Sequence, residues 1–182
     1  MERSLAHIAL FAALVAALGL VPPLSLPGGV PVTAQSLGIM LCGTVLGSRR
    51  GALAVLLFLL LVAIGLPVLT GGRGGFGVFA GPSVGFLIGF PVAAFITGLV
   101  VERWRAPVWL ASGVGATLGG ILVLYAFGAT GWALMLGKSL AEVQVFLLAF
   151  LPGDAVKVVL AALVTRALAQ MRPGALLSRP WA

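Results

Sequence analysis

The chain has 182 residues, of which 61% are hydrophobic and only 8% charged, with a formal net charge of +7. An average soluble domain is about a quarter charged, so these few ionic groups could not cover a water-facing surface and lipid must be the main solvent. The basic excess sits in short gaps between apolar runs, not along a stripe interleaved with aromatics, which excludes nucleic-acid binding and reads as membrane topology.

A spanning helix needs about 17–25 mostly apolar residues. The candidate spans are 4–21, 33–46, 51–66, 83–101, 108–127 and 152–169. The expected fold is therefore all-α: an integral membrane bundle of about six transmembrane helices, one domain over 1–182. Met1 to Leu20 has the basic start and apolar run of a signal peptide. Val21-Pro22-Pro23 follows instead of an A-x-A-like cleavage site, so this segment is expected to stay as the first helix. It carries Ala9, Ala13 and Ala17, with Ala12 and Ala16, small residues at four-residue spacing that let another helix approach closely. That neighbour is either inside the bundle or on a partner membrane protein. Pro22-Pro23, Pro27-Gly28-Gly29 and Pro31 mark the first loop. The second span is short for a bilayer unless protein shields its Pro31 side. Its Cys42 is the only cysteine, so no disulfide or cysteine metal cluster is available and its expected role is packing.

Pro67 ends the third span, and the loop from Leu69 to Pro82 follows. Its glycines, Gly74 and Gly75 among them, allow backbone N–H groups to come close to a ligand. Arg73 offers a fork of donors suited to a carboxylate, and Phe76 and Phe79 add apolar surface, so the loop reads as a lid or pocket wall. Gly75 to Ala80 fits G-x-G-x-x-A, but no soluble strand precedes it and no dinucleotide site is expected. Gly81-Pro82-Ser83-Val84-Gly85 opens the fourth span and fits G-x-S-x-G, similar to a rhomboid-type intramembrane protease. Such a serine needs a general base. His7, the only histidine, lies in the first span towards the other face, so an enzyme is not expected. Gly77, Gly81, Gly85 and Gly89 form a second small-residue row.

Pro107 opens the fifth span. Gly137-Lys138-Ser139 resembles the end of a P-loop, but the glycine that pattern needs is replaced by Trp132 and the segment faces outward; no nucleotide or other cofactor is expected. The stretch 139–150 is either an interfacial or re-entrant helix or part of one kinked last helix. Pro152 is tolerated in a first helical turn. Arg3, Arg49, Arg50, Arg103, Arg105, Arg166, Arg172 and Arg179 fall on one side, against Arg73 and Lys138 on the other. That bias places both termini in the cytoplasm of a multi-pass cytoplasmic-membrane protein, N-in and C-in.

Asp154 and Lys157 stand three residues apart, on one helical face. A lone charge near the bilayer centre costs about 2.5–3.5 kcal/mol, so such residues pair and face a polar cavity. Asp154 also lies in the first turn of its helix, where the dipole favours a carboxylate. The pair is a candidate ligand site, with a purely structural ion pair as the alternative.

Four segments carry a family resemblance: Pro31-Val32-Thr33-Ala34-Gln35; Leu66-Pro67-Val68 with the Gly-rich loop; Gly81-Pro82-Ser83-Val84-Gly85-Phe86-Leu87-Ile88-Gly89-Phe90; and Leu151-Pro152-Gly153-Asp154 with Lys157. In that order they resemble the BioY family of biotin-uptake proteins, the substrate-capturing S-components of energy-coupling factor (ECF) transporters, over roughly residues 5–170. Ser83, Val84 and Phe86 stand where the family commonly has Thr, Gly and Tyr, which keeps size or ring shape and loses a tyrosine hydroxyl. The resemblance implies biotin held near the outer surface, between the last helix and the outer loops. Asp154 would accept from the ureido N–H groups, Lys157 would donate to a carbonyl or carboxylate, and Arg73 would hold the tail. Gln35, Gly74 and Gly75 would join the site, and rings from Phe76, Phe79, Tyr125 or Trp132 would cover the apolar body. The implied partners are biotin, the lipid bilayer, and either a transmembrane coupling protein with ATPase subunits or further copies of the chain. Another small carboxylated vitamin is the alternative substrate.

Overall fold

The structure, a computed structural model, describes residues 2–25 and 31–179, so Pro27-Gly28-Gly29 lies outside the described residues. Among the described residues seven helices follow the apolar stretches: α1 (Glu2–Leu18), α2 (Gln35–Leu46), α3 (Ser48–Ala63), α4 (Val84–Arg103), α5 (Val108–Leu136), α6 (Leu140–Leu148) and α7 (Leu151–Met171). Between α1 and α2 two strands of two residues each, β1 (Leu24–Ser25) and β2 (Pro31–Val32), pair antiparallel. A 3-10 turn, Phe76–Ala80, precedes α4.

Helix α2 is the axis of the bundle. All of its residues but Leu37 are buried, so protein shields this 12-residue helix, the condition under which so short an apolar segment is accommodated at membrane depth. Among the described residues, α4 and α5 are long and apolar enough to cross a membrane, and α6 with α7 count as a third such unit if the pair is one broken span.

Within 139–150 the chain forms a helix of its own, α6, bent against α7, an arrangement common to a re-entrant helix and to one broken last span. Ser139 and Glu142 form a reciprocal cap: Ser139 Oγ accepts from Glu142 N–H at 3.3 Å and Glu142 Oε2 accepts from Ser139 N–H at 2.9 Å. Such a box satisfies orphan donors and starts a helix in its own right. The axis then turns by 58° into α7, with Pro152 in the first turn, where its missing N–H costs nothing.

Helix α5 runs on to Leu136 through a π-helical stretch, Leu118–Val123. Its contact with α4 depends on glycine. A Cβ on Gly85 would overlap the Phe127 carbonyl oxygen and lie 2.9 Å from the Gly131 Cα. Gly85 and Gly89 therefore serve internal packing, while Gly77 and Gly81 lie before α4, where a Cβ would meet open space at Gly77 and only ordinary contact, 3.8 Å from the Val78 carbonyl oxygen, at Gly81.

The basic end of the bundle is tied by polar contacts. Glu102 on α4 accepts from the Ser48 N–H at 2.8 Å and the Ser48 hydroxyl at 2.6 Å, fixing the turn between α2 and α3. Ser178 donates from its N–H to Val45 O at 2.9 Å and from its hydroxyl to Thr44 O at 2.6 Å. Arg179 is a staple rather than a surface anchor: it is buried and donates to Val101 O at 2.8 Å, Ala106 O at 2.7 Å and Trp104 O. Carbonyls at a helix C-terminus lack partners and carry the negative end of the dipole, which is why a cation fits there. Desolvation lowers the Arg179 pKa from its ordinary value.

Candidate functional site

At the opposite end, a cavity opens between α2, α4, α5, α7 and the loop after α3. The polar wall is a closed network. Lys157 Nζ donates to Asp154 Oδ1 at 2.7 Å and to Ser36 Oγ at 2.8 Å. Ser36 Oγ lies 3.4 Å from Asp154 Oδ1, and the Tyr125 hydroxyl donates to Asp154 Oδ2 at 2.7 Å. Three elements thus meet on one carboxylate: α7 supplies the ion pair, α2 the serine and α5 the phenol.

The sequence produces this geometry locally. Pro152 starts α7 just before Asp154, and the i, i+3 spacing brings Lys157 back over it. Asp154 is 4% exposed, and burying an ion pair is favourable only when the remaining lone pairs and protons are also satisfied. Ser36 and Tyr125 supply that satisfaction.

The opposing wall is apolar and comes from Phe86, Leu87, Phe90, Leu124, Leu69 and Phe150. Phe86 and Phe150 stack with centroids 6.4 Å apart. Trp132 backs Phe150 edge-on at 6.4 Å and packs against Phe146 at 5.8 Å. Trp132 is itself buried in the core, so it shapes the wall from behind and does not line the cavity.

The loop is pinned beside this cavity by Gln35, whose amide is fully engaged. Its Nε2 donates to Val15 O at 3.1 Å and Val68 O at 3.0 Å. Its Oε1 accepts from the Thr70 N–H at 3.1 Å and the Thr70 hydroxyl at 3.0 Å. Leu69 and Arg73 then close a tight turn, with Gly71 at φ +79° and Gly72 at φ +70°, a left-handed pair that glycine adopts without steric cost. Arg73 Nε donates to Thr70 O at 3.2 Å, which leaves the terminal nitrogens of its guanidinium at the rim.

Of the residues singled out in the sequence, Asp154, Lys157, Tyr125, Arg73 and Gln35 line one cavity, together with Ser83 and Phe86. Gln35 lines it with its polar atoms already taken. Gly74, Gly75 and Phe79 are not in its wall: Gly75 N–H donates to Val62 O at 2.7 Å, and Phe79 packs against the core. Phe76 is exposed. Ser36, Phe90 and Phe150 line the cavity without having been foreseen. Ser36 had a signal, a small hydroxyl in the first turn beside Gln35; the two phenylalanines had none beyond their apolarity. His7 lies near the start of α1 and Ser83 at the far end, lining the cavity. On α1, Ala9, Ala13 and Ala17 are exposed while Ala12 is buried, so the alanines split between an outward stripe and internal packing.

Comparison with known proteins extends over nearly all of this architecture. The BioY family model matches residues 2–174. The biotin transporter BioY of Rhodobacter capsulatus is 58% identical over 189 aligned residues, covering 98% of this chain and all (100%) of the relative. The biotin transporter BioY of Rhizobium etli is 54% identical over 172 residues, covering 91% of this chain and 92% of its own. A crystal structure of the S-component for biotin from an ECF-type ABC transporter superposes with a TM-score of 0.87 at 31% identity, covering 93% of this chain and 92% of that one.

Proposed function

The chain belongs to the BioY family, and from that premise we propose that it captures biotin in the cavity between α7 and the loop after α3. It is a biotin transporter of the multi-pass membrane type, the S-component of an ECF-type ABC transporter, and not an enzyme. The observation that carries the binding assignment is the Asp154–Lys157–Ser36–Tyr125 network facing an aromatic wall. Biotin offers a ureido carbonyl, two N–H groups, an apolar fused-ring body and a carboxylate tail. Asp154 accepts from the ureido N–H groups and Lys157 donates to an oxygen. The rings of Phe86, Phe90 and Phe150 cover the apolar body, and Arg73 at the rim takes the carboxylate. A nanomolar complex corresponds to about −12 kcal/mol, within reach of a dry site in which charged hydrogen bonds are stronger than in water.

The chain crosses the cytoplasmic membrane six times, with α6 and α7 together forming the last crossing. The cavity opens outward, and Arg179 is held at the cytoplasmic end. The exposed stripe Ala9, Ala13, Ala17 on α1 suits close approach by a helix of a membrane coupling protein, through which separate ATPase subunits supply energy. Biotin uptake into cells expressing the chain with and without those subunits tests the assignment. Saturable uptake competed by unlabelled biotin supports it; uptake of another carboxylated vitamin in preference to biotin contradicts it. Loss of copurification of the coupling protein in Ala13→Leu, with biotin binding kept, supports the α1 interface.

A further inference from the structure

At the end of the bundle away from the biotin cavity, an open cleft lies between the start of α3 and the last turns of α4. Arg49, Arg50 and Arg103 line it, and all three are exposed. The acid beside them is engaged elsewhere, because both oxygens of Glu102 accept from Ser48. Among the described residues the ion pair is that of Lys157 with Asp154, so none of the three guanidinium groups forms an ion pair with a described carboxylate. Arg50 donates to the Leu177 carbonyl at 3.5 Å, which leaves most of its donors open.

These charges are also unfavourably placed for the helix that carries them. Arg49 and Arg50 lie in the first turn of α3, which has no acidic residue, and the positive end of a helix dipole disfavours cations. An anion in the cleft would relieve both the mutual repulsion and the dipole penalty. The planar arginine fork matches phosphate oxygens bidentately.

The rest of the cleft does not suit a free ion. Phe95 and Leu99 line it with Arg103, and these three recur at four-residue steps along one face of α4. They form an apolar track that rises about 12 Å from the arginines towards the membrane interior, at about 1.5 Å per residue. A fitting occupant carries an anionic head with a long apolar chain attached. Basic pockets between helices at the cytoplasmic surface have this character.

We propose that this cleft binds an anionic phospholipid, with its phosphate held by Arg49, Arg50 and Arg103 and one acyl chain lying along Leu99 and Phe95. The lipid bridges the start of α3 to the end of α4 on the flank left open beside the Ser48–Glu102 contact. The inference is independent of what occupies the biotin cavity.

The test uses the purified full chain in detergent, offered equal amounts of phosphatidylglycerol and phosphatidylcholine with identical acyl chains and read by native mass spectrometry. The unaltered chain is expected to prefer phosphatidylglycerol by about fivefold or more, the worth of roughly one basic residue at a membrane surface. R49Q and R103Q are each expected to cut that preference at least about twofold, and R166Q, an exposed arginine on α7, to leave it unchanged. Glycerol phosphate without acyl chains is expected to leave no adduct. Equal retention of the two lipids by the unaltered chain overturns the proposal, as does an unchanged preference in R49Q and R103Q. An equal loss in R166Q points to diffuse surface charge and also overturns it. Retention of glycerol phosphate as strong as that of the lipid assigns the site to a free phosphate and removes the acyl track.

Discussion

Lys157 Nζ lies 2.7 Å from Asp154 Oδ1 on the first turns of α7, and Ser36 of α2 accepts from the same ammonium group at 2.8 Å. The pair therefore belongs to two helices at once, and its geometry fixes where α7 starts relative to the buried axis of the bundle. Removing one partner of a buried pair costs about 3–5 kcal/mol, whereas replacing both by apolar groups is often near neutral. Lys157→Ala should lower unfolding stability in detergent by an amount of that order. The double variant Asp154→Leu/Lys157→Met should recover a large part of it while binding no biotin. Additive losses in chemical unfolding would show that the two charges are not coupled.

Tyr125→Phe removes one hydrogen bond to the Asp154 carboxylate and leaves the ring in place. Hydrogen bonds to charged groups contribute about 1.5–3 kcal/mol, so biotin binding should weaken by about tenfold or more. Isothermal titration measures it; unchanged affinity would mean that Asp154 does not need the phenol to be held for biotin.

Gln35→Leu leaves the carbonyls of Val15 and Val68 and the N–H of Thr70 without their partners. Each buried unsatisfied group costs about 1–3 kcal/mol. The loop turn at 69–73 should loosen, with faster biotin release and a lower melting temperature. Hydrogen exchange at Thr70 and Arg73 reads the loosening directly, and unaltered protection there would remove the clamp from the account.

Much of this was legible beforehand, for identifiable reasons. Asp154 and Lys157 stand out in sequence because lipid penalises charge, and the i, i+3 spacing alone brings them together. Arg73 and Tyr125 were reachable as donors near that end. The internal hydrogen bonds of Gln35 were not, since its four partners come from α1, the α3–α4 loop and no sequence neighbour. The burial of Arg179 was hidden for a related reason: its charge reads only as topology, while the carbonyls of Val101 and Trp104 at the end of α4 draw it inside. Glycine rows are ambiguous in a sequence because only the facing backbone, here Phe127 and Gly131, shows which glycines are in contact.

Gly85→Leu should disrupt the closest approach of α4 to α5, where even a Cβ overlaps the Phe127 carbonyl. Overpacking of this kind costs about 1–3 kcal/mol or more, and the shift moves Phe86 in the cavity wall. Lower thermal stability together with weaker biotin binding is expected. Gly77→Leu, with open space around it, should leave stability unchanged in the same melts.

In the proposed site, Asp154 and Lys157 hold biotin in the cavity lined by Ser36, Tyr125 and the three phenylalanines. Equilibrium binding of labelled biotin to the purified chain, alongside Asp154→Asn and Lys157→Ala, tests it most directly. Tight binding by the unaltered chain and at least about tenfold weaker binding by each variant, about 1.4 kcal/mol or more, is the predicted result. Full binding by both variants would contradict the site, and no binding at micromolar biotin would contradict the function.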